Sequence, residues 1–477
     1  MDRTFDYAII VIFLIGVALF GILKGGKQKS VEDYFLGSKS VPWWAVCFSI
    51  VAAETSTLTF ISIPGLAYLT NLNFLQVTFG YLIGRIIIAK FFLPAYFSGE
   101  LNTAYAFLEK RFGSKTRSFS SIVFLFTRTA ADGVRLFATA IPLKLMLNVD
   151  YPTAIIIIAV ISLAYTITGG VKGIIWVDVI LMVIYLGGAI LAGYFLLNNY
   201  LPEGFHSLVE AAKPDNKLEL FNLNFGSSLG EFFGKPYTLI SGILGGTFLS
   251  MASHGTDQLI VQRLLSTNSL KQAQKAIIGS GLLVIVQFVI FLLLGVGLFA
   301  YYGNLDMRSD EVFPKFIIES LPSPFSGIII AGLFAAAMST LAGSISSLSS
   351  STMLDLYNPF HKNRNKNNDL RVSRLFTLMW AVLLIFAAIF FMNSPQTVVE
   401  LALSIASFTY GGLLGTFMLG LFVKEAKQED ALAGFTSGIF IMVTVISLNL
   451  VAWTWFTLIG VAATLLIGTL LSYLNKN

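Results

Sequence analysis

Long apolar runs recur along the whole chain, each close to the roughly 20 residues a helix needs to cross a hydrocarbon layer, and short polar stretches separate them. Thirteen are legible: Tyr7 to Leu23, Trp43 to Leu69, Phe74 to Phe97, Ser118 to Leu145, Pro152 to Ile167, Ile174 to Leu197, Thr238 to Arg263, Lys275 to Tyr302, Ser326 to Leu356, Val372 to Phe391, Thr397 to Val423, Ala431 to Val451 and Trp455 to Tyr473. They predict an all-α integral membrane protein of about thirteen transmembrane helices, forming a single domain over residues 1–477 in contact with the lipid bilayer. Composition agrees, because a chain that is 56% hydrophobic and 12% charged is too apolar for water. The first run lacks a basic leader and a small-residue cleavage site, so it reads as a retained helix and not a signal peptide.

Charge sets the expected orientation. Of the 31 lysines and arginines, twenty fall in loops that are cytoplasmic if the N-terminus is outside, Lys172 and Arg263 among them, against six on the other side. The positive-inside rule then places the N-terminus outside and the C-terminus in the cytoplasm, in a plasma or inner cell membrane. The net charge of +5 is spread over these short loops and not gathered on one face, which argues against a nucleic-acid partner. Cys47 is the single cysteine, so an intrachain disulfide is excluded, and His206, His254 and His361 are too scattered for a metal cluster. No nucleophile and base, metal-ligand set or phosphate loop occurs at usable spacing, so the chain is not expected to be an enzyme.

The runs divide into one leading helix (7–23), two groups of five (43–197 and 238–423) and two trailing helices (431–473). Five is odd, so the second group is inverted relative to the first. The opening run of each group carries small, polar or helix-poor residues: Ala52, Ala53, Glu54, Thr55, Ser56, Thr57, Pro64 and Gly65 in one, and Gly242, Gly245, Gly246, Ser253, His254 and Gly255 in the other. Interrupted helices at matching places of inverted repeats point to a midplane site, because the freed carbonyls need a cation or solute to satisfy them. Close helix packing is the competing explanation for the small residues.

Three segments carry a family resemblance. VEDYFLGSKSVPWWAV from Val31, YTITGGVKGIIWVDVI from Tyr165 and GTDQLIVQR from Gly255 resemble the sodium:solute symporter family at matching places in the helix order. The resemblance implies a leucine-transporter-like inverted-repeat fold, Na+ as the driving ion, and alternating access around a central site: a sodium-coupled symporter importing a small organic solute. Hard cations prefer oxygen ligands. The resemblance implies Na+ held by carbonyls of Ala52 and Thr55 on the second run, with Ala336, Ser339 and Thr340 on the ninth. Spacing puts those last three on one helix face, although Ser and Thr also bond back to their own helix. The same face continues through Ser346, Ser347, Ser350 and Ser351 as an expected wetted track. Asp178 is an ionisable group at membrane depth, and the resemblance puts it on the sodium exit path with Ser346, or in a second sodium site. Ala342 and Gly343 lack the hydroxyls that such a second site draws on, and a surface pair with Lys172 is the alternative for Asp178.

Arg128, Asp132 and Arg135 stack on one face of the fourth run as a ladder of alternating charge with one positive charge in surplus. Arg135 or Arg128 is suited to bind a solute carboxylate, and a self-satisfied structural ladder is the other reading. Glu54 is available to pair with one of these arginines or to add charge near the sodium. Ser56 in the break belongs with the solute contacts, and the resemblance adds Thr59, Thr78, Ser250, Ser253 and Phe408, the last with Thr409 and Tyr410 as an outer gate or aromatic wall. Sugar-carrying family members have longer side chains where this chain has Thr59 and Thr78. A member that carries sialic acid has an arginine where this chain has Ala131, and these departures argue against both solutes. A proton-coupled symporter or exchanger using Glu54, Asp178 or Asp257 is the rival mechanism. A solute sensor is the rival class, and the chain ends at Asn477 with no output module visible.

Overall fold

The computed structural model describes residues 4–99, 101–147, 149–361, 368–392 and 398–475. Helices account for nearly all of the regular structure, and no strand occurs among the described residues. The principal helices are α1 (Thr4–Gly25), α2 (Val31–Leu36), α3 (Trp43–Glu54), α4 (Thr57–Leu69), α5 (Leu75–Ile87), α6 (Ala104–Phe112), α7 (Ser114–Leu147) and α8 (Tyr151–Phe195). They continue as α9 (Leu239–Gly255), α10 (Gln258–Leu265), α11 (Leu270–Tyr302), α12 (Phe325–Ser351), α13 (Asp369–Phe391), α14 (Val398–Phe422), α15 (Gln428–Ser447) and α16 (Phe456–Leu474).

Among the described residues eight helices are long and apolar enough to cross a membrane, or nine if the bent pair Val31–Lys39 and Trp43–Glu54 is one span. That is fewer than the thirteen runs of the sequence, for physical reasons. The second and seventh runs are each two short helices, α3 with α4 and α9 with α10. The fifth and sixth are joined as α8, whose 45 residues would extend about 68 Å if straight. Instead α8 bends at Gly170, with φ 56° and ψ −163°, a conformation that favours glycine.

α12 is the axis of the molecule, with nearly every residue from Ile329 to Ser351 buried. α1 packs against α8 through glycine, and a Cβ on Gly25 would lie 2.2 Å from the Gly169 Cα. Asp6 ties the start of α1 to the start of α12, accepting hydrogen bonds from Ser323 at 2.7 Å and Ser326 at 2.9 Å. α5 and α9 lie against each other along their length. A Cβ on Gly246 would sit 2.2 Å from the Val77 carbonyl oxygen, and one on Gly80 would sit 2.4 Å from that of Ile243. Gly242, Gly245 and Gly246 therefore serve backbone-to-backbone packing within an intact helix. The interruption of the seventh run comes later, at Thr256 and Asp257, after His254 and Gly255.

Candidate functional site: two interrupted helices around a buried polar cavity

α3 ends at Glu54 where the sequence places a break. Thr55 (φ −85°, ψ 89°) and Ser56 (φ −78°, ψ 170°) leave the helical region before α4 begins. The Ser56 amide bonds to the Glu54 carbonyl at 3.2 Å instead of reaching back four residues to Ala52. The Ala52 carbonyl thereby loses the amide that an unbroken helix would have offered it. Main-chain oxygens left without donors inside a bilayer are costly unless something replaces the donor. The Thr55 hydroxyl is already engaged, accepting from Gln287 Nε2 at 2.8 Å.

α12 faces this break. Thr340 Oγ1 is buried and has no hydrogen-bond partner among the described residues. Ser339 donates to Asp178, which also accepts from Ser49. Asp178 is fully buried and paired with Arg263 at 3.2 Å, and Arg263 Nε also donates to Ser49 at 2.8 Å. This corrects two expectations. Arg263 is not a loop charge but a buried residue of α10, and the partner of Asp178 is Arg263 and not Lys172. Gly343 makes room for it, because a Cβ there would lie 2.7 Å from Arg263 Nη2.

The serine face beyond Ser346, expected as a wetted track, is covered by other side chains in this conformation. Ser346 accepts from Gln262 Nε2 at 3.1 Å, Ser350 accepts from Gln258 Nε2 at 3.2 Å, and Ser351 donates to Asp355 at 2.9 Å. All three serines are buried. The two glutamines belong to α10, which is further tied down where Gln262 donates to the Phe35 carbonyl at 2.7 Å and Gln258 accepts from the Ala104 amide at 2.8 Å. At that end of α12 the serines are closed off by α10.

A cavity of about 320 Å³ lies between the break and α12, lined by Ser56, Asp132, Arg135, Thr139, Thr340 and Ser344 among others. A second, of about 400 Å³, adjoins it and takes in Arg128, Ala131, Arg135, Asp257 and Tyr410. Arg135 lines both. The charge ladder of α7 is extended by a group the spacing did not reveal. Arg128 pairs with Asp132 and, at 3.1 Å, with Asp257 in the α9–α10 break, while Arg135 Nη1 reaches Asp132 at 3.2 Å. Two cations and two carboxylates make the cluster neutral, and the surplus positive charge expected from α7 alone disappears. Glu54 pairs not with this ladder but with Arg85, which also contacts His254 Nε2 at 3.0 Å and donates to Ser280 at 2.8 Å.

Of the expected solute contacts, the central cavity gathers Ser56, Asp132 and Arg135. Thr59, Thr78, Ser250 and Ser253 line neither cavity. Thr78 bonds back to the Leu75 carbonyl at 2.8 Å, and Ser253 bonds to the Leu249 carbonyl and to His254 Nδ1, each at 2.8 Å. Ser250 Oγ is buried without a partner, and its Cβ packs against Gly84. The side chain of Phe408 lies outside the described residues, whereas Tyr410 donates to Asp257 at 3.2 Å. Arg85 and Arg263 were legible in principle, since an arginine flanked by apolar residues demands an acidic partner at the same depth.

Helices broken at Thr55 and at Thr256, each break bordering one of two adjoining cavities in an otherwise apolar bundle, define a multi-pass membrane transporter of the leucine-transporter-like, inverted-repeat type that works by alternating access. The chain belongs to the sodium:solute symporter family, whose model matches residues 34–438. It is 28% identical to a sodium/sialic acid symporter of Aliivibrio fischeri (strain ATCC 700601 / ES114) over 481 residues, covering 99% of this chain and 94% of that one. A solved Na+-coupled sialic acid symporter, substrate-bound and outward-open, superposes with a TM-score of 0.89 at 26% identity and covers 98% of each chain. A nucleobase-cation-symport-1 family transporter shares the fold at a TM-score of 0.56 and 15% identity, over 92% of this chain and 94% of its own. The protein is a sodium-coupled symporter, with Na+ as its coupling ion.

Proposed function

We propose that the chain imports a small carboxylate together with one Na+. The ion is held by the carbonyls of Ala52, Thr55 and Ala336 and the hydroxyls of Ser339 and Thr340, and the solute occupies the cavity beside Arg135. The observation that carries this reading is the buried Thr340 hydroxyl, which lacks a protein partner and lines the same cavity as Ser56 in the α3–α4 break. An oxygen in that position is wasted unless an ion takes it. Asp178 and Ser346 then lie on the ion's exit path, opened when α10 withdraws Gln262.

Charge balance supports the solute class. The ionisable groups around the cavity form neutral sets: Glu54 with Arg85, Asp178 with Arg263, and Arg128 and Arg135 with Asp132 and Asp257. One Na+ adds a single positive charge, and a monoanion restores neutrality at the lowest desolvation cost. The same pairing weighs against a proton-coupled cycle, since each of the candidate carboxylates already has a guanidinium. Ala131 offers no guanidinium, so the carboxylate falls to Arg135 one turn further along α7. An acidic sugar such as sialic acid is the first candidate. Residues 43–197 and 238–423 are the two halves, the N-terminus is outside, the C-terminus is cytoplasmic, and the chain has no enzymatic role.

The test is uptake into proteoliposomes under an inward sodium gradient, screening N-acetylneuraminate and smaller carboxylates against neutral sugars. Arg135→Gln is expected to raise the KM for the accepted carboxylate at least tenfold while sodium-dependent thermal stabilisation persists. A neutral solute carried equally well by Arg135→Gln refutes the reading.

A further inference from the structure

Arg128 is not among the residues that line the central cavity, and its guanidinium is engaged by Asp132, by Asp257 at 3.1 Å and by Ser344 at 3.5 Å. It stands seven residues from Arg135 on the same helix face, about 10.5 Å along the axis at 1.5 Å per residue. That displacement leads toward Ser114, the cytoplasmic end of α7 in the proposed orientation. Arg135 borders both cavities, whereas Arg128 borders only the second, whose volume of about 400 Å³ exceeds the 320 Å³ of the first. Ala131, the residue between the two arginines on the inner wall, presents only a methyl group.

We infer that Arg128 is a second anion station, and that a carboxylate arriving there displaces Asp257 and thereby unlocks the inner gate. The inference rests on the carboxylate reading above. Asp257 sits at the head of α10, where Oδ1 caps the helix by accepting from the Leu259 amide at 2.9 Å. Its other oxygen, Oδ2, accepts from Arg128 at 3.1 Å and from Tyr410 at 3.2 Å. One ion pair thus fastens α10 to α7. α10 is also the helix whose Gln258 and Gln262 cover Ser350 and Ser346.

Exchange of one carboxylate for another leaves the Arg128 guanidinium paired throughout, and it is Asp257 that gives up its ion pair. Asp132 stays bonded to both arginines and keeps them aligned during the transfer. After the exchange Asp257 retains its cap on α10 and its bond to Tyr410, so it is not stranded. A neutral solute has no means of making this exchange, which ties gate opening to the charge of the cargo.

The experiment reads the gate and the station separately from the central site. Ser350→Cys in a Cys47→Ala background is reconstituted, and alkylation by a membrane-impermeant maleimide applied at the cytoplasmic face is timed. Asp257→Asn keeps the cap and abolishes the ion pair, and it is expected to speed labelling at least tenfold without any solute, whereas Asp257→Glu stays protected. In the Asp257→Asn protein, sodium acetate is expected to raise the melting temperature where acetamide with NaCl, at the same sodium concentration and ionic strength, does not. That shift is expected to vanish in Arg128→Gln/Asp257→Asn, which removes one charge of each sign and so keeps the cluster neutral.

Unchanged labelling in Asp257→Asn overturns the gate. An acetate shift that survives the loss of Arg128, or is absent from Asp257→Asn, overturns the station. Because these arms do not involve Arg135, they stand whatever Arg135→Gln does to uptake, and failure of the central carboxylate site shows only in the uptake screen.

Discussion

Replacing Thr340 by valine separates a sodium ligand from a packing residue, because the two roles predict opposite signs. Valine has nearly the same shape, so no cavity opens. Among the described residues the threonine hydroxyl is buried without a protein partner, and without a bound ion that situation costs about 1–3 kcal/mol. Thr340→Val is therefore expected to melt at the same temperature as the parent, or higher, in potassium. In sodium the hydroxyl becomes one of five oxygens around a charge, and a contact to a charged group is worth about 1.5–3 kcal/mol. Its loss raises the sodium dissociation constant by a factor of about 10 to 150.

Linkage turns that factor into a measurable shift. At a sodium concentration one hundred times the parent's dissociation constant, binding stabilises by about 2.7 kcal/mol, and a tenfold weaker site leaves about 1.4 kcal/mol. The assay is a thermal-melt titration with NaCl replaced by KCl at constant ionic strength, run beside sodium-dependent uptake. A valine variant that is less stable in potassium, yet keeps the parent's sodium titration, refutes the reasoning, since it makes Thr340 a packing residue and leaves the α3–α4 break without its partner.

One Na+ with a monoanion carries no net charge, so the initial uptake rate is expected to change less than about twofold when a valinomycin potassium potential is imposed. A cycle moving one net charge gains about 2.3 kcal/mol per 100 mV, and a matching current argues for a second cation. Arg263→Gln leaves Asp178 buried and unpaired, which is expected to cost about 3–5 kcal/mol of stability, with much of it recovered in Asp178→Asn/Arg263→Gln; melting temperatures of the two variants decide. Gly246→Ala puts a methyl carbon 2.2 Å from the Val77 carbonyl oxygen, so a loss of at least about 1–3 kcal/mol is expected, and an alanine variant of unchanged stability contradicts the close α5–α9 packing.

What the sequence determined by itself were properties that depend on local order. Apolar runs of bilayer length predict spans regardless of how they pack. The small polar segment from Ala52 to Thr57 predicts an interruption because it lacks the side chains that hold a helix in lipid, and α3 does end at Glu54. The sodium:solute symporter family was legible from three short segments for the same reason. In the seventh run the signal misled in part. Glycine reads alike whether it breaks a helix or lets a neighbouring backbone approach, and only the position of α9 against α5, which meets Gly242 and Gly246, and against Thr454, which meets Gly245, assigns them to the second role.

Tertiary structure alone decided which charges meet. Arg85 with Glu54, Arg263 with Asp178 and Arg128 with Asp257 are separated by 31, 85 and 129 residues, and no helical periodicity relates partners on different helices. A ladder that looked positive on α7 is neutral once the α9–α10 break brings Asp257 to it. The physical reason is that a buried charge is satisfied by whatever lies within hydrogen-bond reach in space, and in a bundle of helices that partner comes from another part of the chain.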